Sequence, residues 1–234
     1  MWQFHQRLRP FKAISFDLDD TLYDNKPVMI AAEQHVADFV LAKCPESAKL
    51  GVLGWRALRD KIAQQNPELA SDMTALRLAT LEHGLSKFGV EQPKALAEEA
   101  MAEFLIARNR VQIPDAVHQL LAALAARYPL VAVSNGNADI QRIGLGDYFQ
   151  AAYQPGNGNR GKPFADLFVA ASEGLKLNHA SELLHIGDHP VSDVQGALKF
   201  GSQALWYVPN KPMAGATWLP HARISQLSAL YDLL

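Results

Sequence analysis

Short apolar runs that scarcely alternate with polar residues constrain this chain most. Residues 13–16, 130–133, 183–186, 204–208 and, more weakly, 151–153 are too short for helices and too evenly apolar for strands with one wet face. Strands of this kind lie in a parallel sheet covered by helices on both sides. Helical patterns over residues 115–127, 164–174 and 192–200 separate the later runs, which implies βαβ units with right-handed crossovers. The expected fold is α/β, a doubly wound parallel sheet of Rossmann-like type.

The interval between the first run and the next clear one is far too long for one crossover helix. Helical patterns over residues 31–42, 55–64, 73–88 and 93–110 fill it, with breaks at Cys44-Pro45, residues 51–54, Asn66-Pro67 and residues 89–93. An α-helical domain over residues 25–111 is therefore expected as an insertion after the first strand, with residues 1–24 and 112–234 forming the core. A chain of 234 residues, 49% apolar, can bury cores for both. Its formal net charge of −2 and pI near 6.4 give no case for nucleic acid or an anionic membrane as partner. Cys44 is the single cysteine, which excludes an intrachain disulfide and a thiolate cluster and fits a reducing cytoplasm. The basic start, MWQFHQRLRPFK, has no apolar stretch behind it, so the chain reads as soluble and without a targeting segment.

In open α/β sheets ligands bind beyond the carboxyl ends of the strands. Asp17, Asp19, Asp20 and Thr21 follow the first run, Ser134 and Asn135 the second, Lys162 lies in the loop after the weak one, and Gly187, Asp188 and Asp193 follow the fourth. Carboxylates converging from separate strand ends repel unless a cation sits between them. An all-oxygen donor set suits Mg²⁺, which binds through a few carboxylates, water and substrate phosphate.

DLDDT (residues 17–21), the strand-end Ser134-Asn135, Lys162 in GKPF and GDHPVSD (residues 187–193) resemble, in order, the four motifs of the haloacid-dehalogenase-like hydrolases. The helical insertion is similar to that family's cap. The resemblance implies a Mg²⁺-dependent hydrolysis of a small organic phosphate monoester through an aspartyl phosphate. Asp17 is then the nucleophile, and Asp19 the acid that protonates the leaving alcohol and the base that activates water. Ser134 and the Asn135 backbone N–H would hold phosphoryl oxygens, and Lys162 would offset charge on Asp17 and the phosphate. Asp17, the Asp19 carbonyl and Asp188 would bind Mg²⁺, with Asp193 orienting groups around it. Asp19 separates this reading from carbon–halogen hydrolysis, since the family's dehalogenases lack that aspartate. Longer phrases, FDLDDTLYDN, SNGNA, GLGDYF, GKPF and HIGD, extend the resemblance to the branch acting on 5-amino-6-(5-phospho-D-ribitylamino)uracil and FMN, in riboflavin biosynthesis. A phosphomutase, a sugar-phosphate phosphatase and a non-catalytic phosphate-ligand-binding protein are the alternatives. Oligomeric state is not written in the sequence.

Blander roles compete for several residues. Asp20 suits a turn, and Lys162 before Pro163 suits the surface start of a helix. His185 within an apolar run reads as a hydrogen-bonded core histidine, His189 as exposed, and Trp55 and Met73 as core rather than substrate-facing. The glycines of GNGNRGK match no phosphate-binding spacing and are expected to bring Lys162 inward.

Overall fold

The computed structural model describes residues 2–209 and 218–234. They form two compact units: Met1–Asp24 with Gln112–Gly136 and Ile140–Leu234, and Asn25–Val111 with Asn137–Asp139.

The first unit is built on a seven-stranded sheet of β1 (Trp2–Phe4), β2 (Ala13–Phe16), β3 (Leu130–Val133), β4 (Ala151–Tyr153), β5 (Leu183–Gly187), β6 (Gln203–Tyr207) and β7 (Ala222–Ile224). Their order is β1-β7-β6-β5-β2-β3-β4, and every pairing is parallel except β1 with β7. All four residues of β2 are buried, and so are those of β3, so both faces of the sheet's centre are covered. One face packs Ala13, Val131, Val133 and Leu183 against Leu167, Phe168 and Ala171 of a helix at Asp166–Gly174. β2, β3, β5 and β6 were legible because double burial removes polar alternation, whereas β4, at the sheet's edge and partly exposed, gave the weaker run. β1 and β7 escaped the sequence reading because each has three residues and half-exposed or exposed positions.

The second unit is helical: α1 (Asn25–Lys43), α2 (Gly51–Gln65), α3 (Pro67–Ala70), α4 (Met73–Lys87) and α5 (Pro93–Arg108). The first unit then adds α6 (Asp115–Ala125), α7 (Asp166–Gly174) and α8 (Gly196–Phe200). Two expectations need correction. Residues 51–54 are not a break but the first turn of α2, because Gly51 at φ 55° makes the change of direction in one residue. Residues 192–200 are not one helix: Pro190–Gln195 is a π-helical turn, capped by the His189 ring nitrogen Nδ1, which accepts from the N–H groups of Val191 and Ser192 at 3.2 and 3.0 Å. Among the described residues no helix is long and apolar enough to cross a membrane.

Ala32, Val36 and Val40 of α1, Leu81 and Leu85 of α4 and Ala97, Ala100 and Phe104 of α5 share one core. α4 begins where the Asp72 carboxylate accepts from the N–H groups of Thr74 and Ala75 at 3.0 and 2.9 Å, an N-cap. At its border Glu33, 8% exposed, is held by Arg56 at 2.5 Å, with Arg59 and Arg77 at 3.5 and 3.7 Å. The Arg77 guanidinium lies 3.9 Å from the centre of the Phe104 ring. Trp55 packs against this core across Gly84, in keeping with its bland assignment. A Cβ at Gly84 would stand 2.3 Å from a Trp55 ring carbon. Gly84→Ala should therefore destabilise the protein by about 1–3 kcal/mol despite alanine's better helix propensity. A urea midpoint at or above the wild-type value would contradict this packing.

Candidate active site

β2 lies between β3 and β5, and the chain reaches one from each side of it. The loops therefore diverge above the carboxyl ends of these strands, the position at which α/β sheets open a crevice. Asp17 directly follows β2, Ser134 follows β3 and Asp188 follows β5. The Asp17 N–H donates to the Ile186 carbonyl at 2.9 Å, extending the ladder by one residue and fixing where its side chain begins.

The loop after β2 turns back at once. Asp20 adopts φ 59°, a left-handed conformation that aspartate tolerates, and its N–H donates to the Tyr23 carbonyl at 2.9 Å. The turn reading of Asp20 thus describes its geometry. The same turn brings the Thr21 hydroxyl 3.4 Å from Asp17 Oδ2 and 3.3 Å from Asp188 Oδ1. It also lets the Tyr23 hydroxyl donate to Asp19 Oδ1 at 2.6 Å.

Lys162 is not a surface residue; its side chain is 1% exposed. Its three N–H donors have three acceptors: Asp17 Oδ1 at 2.7 Å, Asp193 Oδ1 at 2.6 Å and the Val133 carbonyl at 2.5 Å. Asn135 sets the backbone for this. Its side-chain amide donates to the Lys162 carbonyl and accepts from the Lys162 N–H, both at 2.7 Å. The sequence points to the Asn135 backbone alone; this side-chain clamp depends on two loops meeting and leaves no local signal. Upstream, Gly156 and Gly158 take φ 120° and 88° in a turn closed by reciprocal backbone bonds between Gly156 and Asn159. Ser134 is buried, and its Oγ accepts from the Gly136 N–H at 3.1 Å. A cleft of about 180 Å³ is lined by Asp17, Asp19, Ser134, Asn135, Lys162 and Asp188, among others.

Asp193 points inward from the π-helical turn. Its Oδ1 accepts from Lys162 and stands 3.1 Å from His185 Nε2, while Oδ2 accepts from the His189 N–H at 2.8 Å. Gly187 makes room for it, since a Cβ there would lie 2.3 Å from Asp193 Cγ. His189 is exposed and His185 buried, as expected, but His185 is bonded into the site rather than into an indifferent part of the core.

Burial pushes Asp17 above the ordinary carboxylate range; Lys162 draws it partly back and the charge on Asp193 adds to the rise. Burial, then Asp193 and Asp20, push Asp188 up to about 6. Burial acts the same way on Asp193, but Lys162 and His185 outweigh it and hold that carboxyl below its usual range. For Lys162 burial works against the charge and the two carboxylates overcome it, so the ammonium is retained. The side facing Asp17 and Asp188 is thus short of positive charge. Ligand oxygens of Asp17, Asp188 and Asp193 lie within 4.8 Å of one another. This oxygen-only set fits a hard divalent cation, with Asp17 Oδ2 and Asp188 the open donors and both Asp193 oxygens already committed. Because a cation must displace protons from both Asp17 and Asp188, its calorimetric affinity should fall as the pH drops, by at least about tenfold per pH unit below roughly 6, where Asp188 also titrates. An affinity unchanged from pH 5 to 7 would remove Asp188 from the donor set.

The family model for haloacid dehalogenase-like hydrolases matches residues 11–201. The chain is 37% identical over 238 residues to the Escherichia coli 5-amino-6-(5-phospho-D-ribitylamino)uracil phosphatase YigB, covering 99% of this chain and 100% of that protein. It is 27% identical to the Streptococcus pneumoniae pyrimidine 5'-nucleotidase PynA, covering 86% and 85% of the two chains. Among solved structures, the 2-haloacid dehalogenase from Pseudomonas syringae superposes with a TM-score of 0.84 at 36% identity, covering 95% of this chain and 97% of that one. Matches across almost the whole length, on a chain with an acidic cleft at the carboxyl ends of β2, β3 and β5, are decisive: the chain belongs to the haloacid dehalogenase-like hydrolases.

Proposed function

We propose that this phosphomonoester hydrolase acts on a ribityl phosphate bearing a heteroaromatic ring, 5-amino-6-(5-phospho-D-ribitylamino)uracil or FMN, with Mg²⁺ as its cation. The observation that carries the phosphatase chemistry is Lys162 held between Asp17 and Asp193 at the floor of the cleft. The substrate rests on 37% identity over the full length of a phosphatase named for that uracil compound.

In the first step an Asp17 oxygen forms a bond to phosphorus while the ester oxygen departs with its electron pair and takes a proton from Asp19. In the second, Asp19 removes a proton from water, the water oxygen bonds to phosphorus, and the Asp17–phosphorus bond breaks to free phosphate. Tyr23 positions the Asp19 carboxyl through the 2.6 Å bond to its Oδ1. Ser134 and the Asn135 N–H offer donors to phosphoryl oxygens, and Lys162 carries the charge that builds on them and on Asp17. Asp17 and Asp188 would hold Mg²⁺, which would supply charge to offset the phosphoryl group and let the two carboxylates stand close.

The likeness to a solved 2-haloacid dehalogenase raises carbon–halogen hydrolysis as a second reading. Asp19 disfavours it. A halide is a feeble base and leaves without a proton, whereas an alkoxide needs one, so a carboxyl held beside the nucleophile serves phosphate esters. A single cysteine, Cys44, fits the cytoplasm where such small metabolites are handled.

Phosphate release should be measured with the ribitylaminouracil phosphate, FMN and simple sugar phosphates, with Mg²⁺ or EDTA, beside halide release from 2-chloropropionate. Release that needs Mg²⁺, is lost in Asp17→Asn and falls about 10²–10⁴-fold in Asp19→Asn is expected. Preference for sugar phosphates would overturn the substrate, and halide release the reaction. Gly187→Ala should lower kcat about 10²-fold by moving the Asp193 carboxylate and with it Lys162. Unchanged kcat would show that Asp193 need not occupy that space.

A further inference from the structure

Ser15 and His185 are register partners on the adjacent parallel strands β2 and β5. Both are fully withdrawn from water, at 0% and 1% exposure, and polar groups so buried must be bonded. Ser15 Oγ lies 2.9 Å from His185 Nδ1, and His185 Nε2 lies 3.1 Å from Asp193 Oδ1. The Phe168 ring stands edge-on to the imidazole, with centroids 5.0 Å apart, and closes its remaining side.

This arrangement assigns the hydrogens. Asp193 is held ionised by Lys162, so Nε2 must carry the proton that faces it. Burial disfavours the imidazolium, which leaves Nδ1 as an acceptor for the Ser15 hydroxyl. A continuous series of bonds follows, from Ser15 through His185, Asp193 and Lys162 to Asp17.

We propose that His185 is a positioning residue for phosphoryl transfer, fixed by Ser15 as the Nε2–H tautomer so that it keeps the Asp193 carboxylate turned toward Lys162. The consequence lies in how Lys162 is shared. With Asp193 held, the ammonium divides its donors between two carboxylates and the Val133 carbonyl. With Asp193 loosened, Lys162 would pair chiefly with Asp17 and quench the nucleophile. His185 meets neither substrate nor cation in this scheme, so its removal should act on turnover rather than on binding.

The role rests on the phosphatase reading above, and the test separates the two. Kinetics of p-nitrophenyl phosphate hydrolysis with Mg²⁺ would be compared for wild type, His185→Leu, His185→Gln and Ser15→Ala. His185→Leu should lower kcat about 10–100-fold with KM near the wild-type value, the range found when partners behind catalytic ligands are lost. His185→Gln, whose amide N–H can stand in for Nε2–H, should recover most of the loss, and Ser15→Ala should fall between. A His185→Leu enzyme with wild-type kcat, or a glutamine variant as impaired as the leucine variant at equal thermal stability, would overturn the proposal. Where His185→Leu does not fold, nitrogen NMR of the wild-type imidazole decides: an Nδ1–H tautomer overturns the proposal, and an Nε2–H tautomer that Ser15→Ala disturbs together with kcat upholds it. Wild type inactive on every ester would refute the phosphatase reading, while the tautomer measured on the same protein would still decide the bond assignment.

Discussion

An ammonium taken out of water must regain in fixed bonds what it loses in solvation, and a buried charge with an incomplete set of partners is costly. Lys162 meets this demand with three acceptors from three separate segments: the residue after β2, the last residue of β3 and the π-helical turn after β5. Satisfying one side chain thus fixes the relative placement of Asp17, Val133 and Asp193. The other features of the site support the same geometry. Asn135 clamps the Lys162 backbone, Gly187 leaves space for the Asp193 carboxylate, and Asp193 is anchored through both oxygens.

Two regions of opposite electrostatic character result. Around Lys162 charge is balanced within the protein, which holds Asp193 below the ordinary carboxyl range. On the other side of Asp17, whose Oδ1 accepts from Lys162, burial pushes Asp17 and Asp188 upward, and the Thr21 hydroxyl reaches both. The first region is balanced within the protein, while an added cation would stabilise the second. The site is therefore stable as a scaffold and yet biased toward binding positive charge, the condition under which a phosphate dianion can approach an aspartate.

Much of this was legible beforehand for identifiable reasons. The inner strands announce themselves because burial on both faces erases polar alternation, and the chemistry-bearing residues stand immediately after them. β1 and β7, at one end of the sheet, did not, since both are short and partly wet. Residues 192–200 follow a helical pattern, and nothing local reveals that Pro190–Gln195 winds as a π-helix, with His189 capping it and Asp193 turned inward. His185 was assigned correctly as a bonded core histidine, but its partners lie on another strand and in a later turn.

The sequence by itself determined the class of sheet, a helical segment between its first two clear strands, and which carboxylates and hydroxyls follow strands and which lysine lies in a loop after one, because periodicity and chain direction are local properties. Which of those groups touch was decided only by the tertiary structure. Asp17 and Lys162 are 145 positions apart and Ser15 and His185 170, and they meet because the parallel register of β2 with β5 and β3 sets strand ends level. Register is fixed by packing across the whole sheet, and no short stretch of chain encodes it.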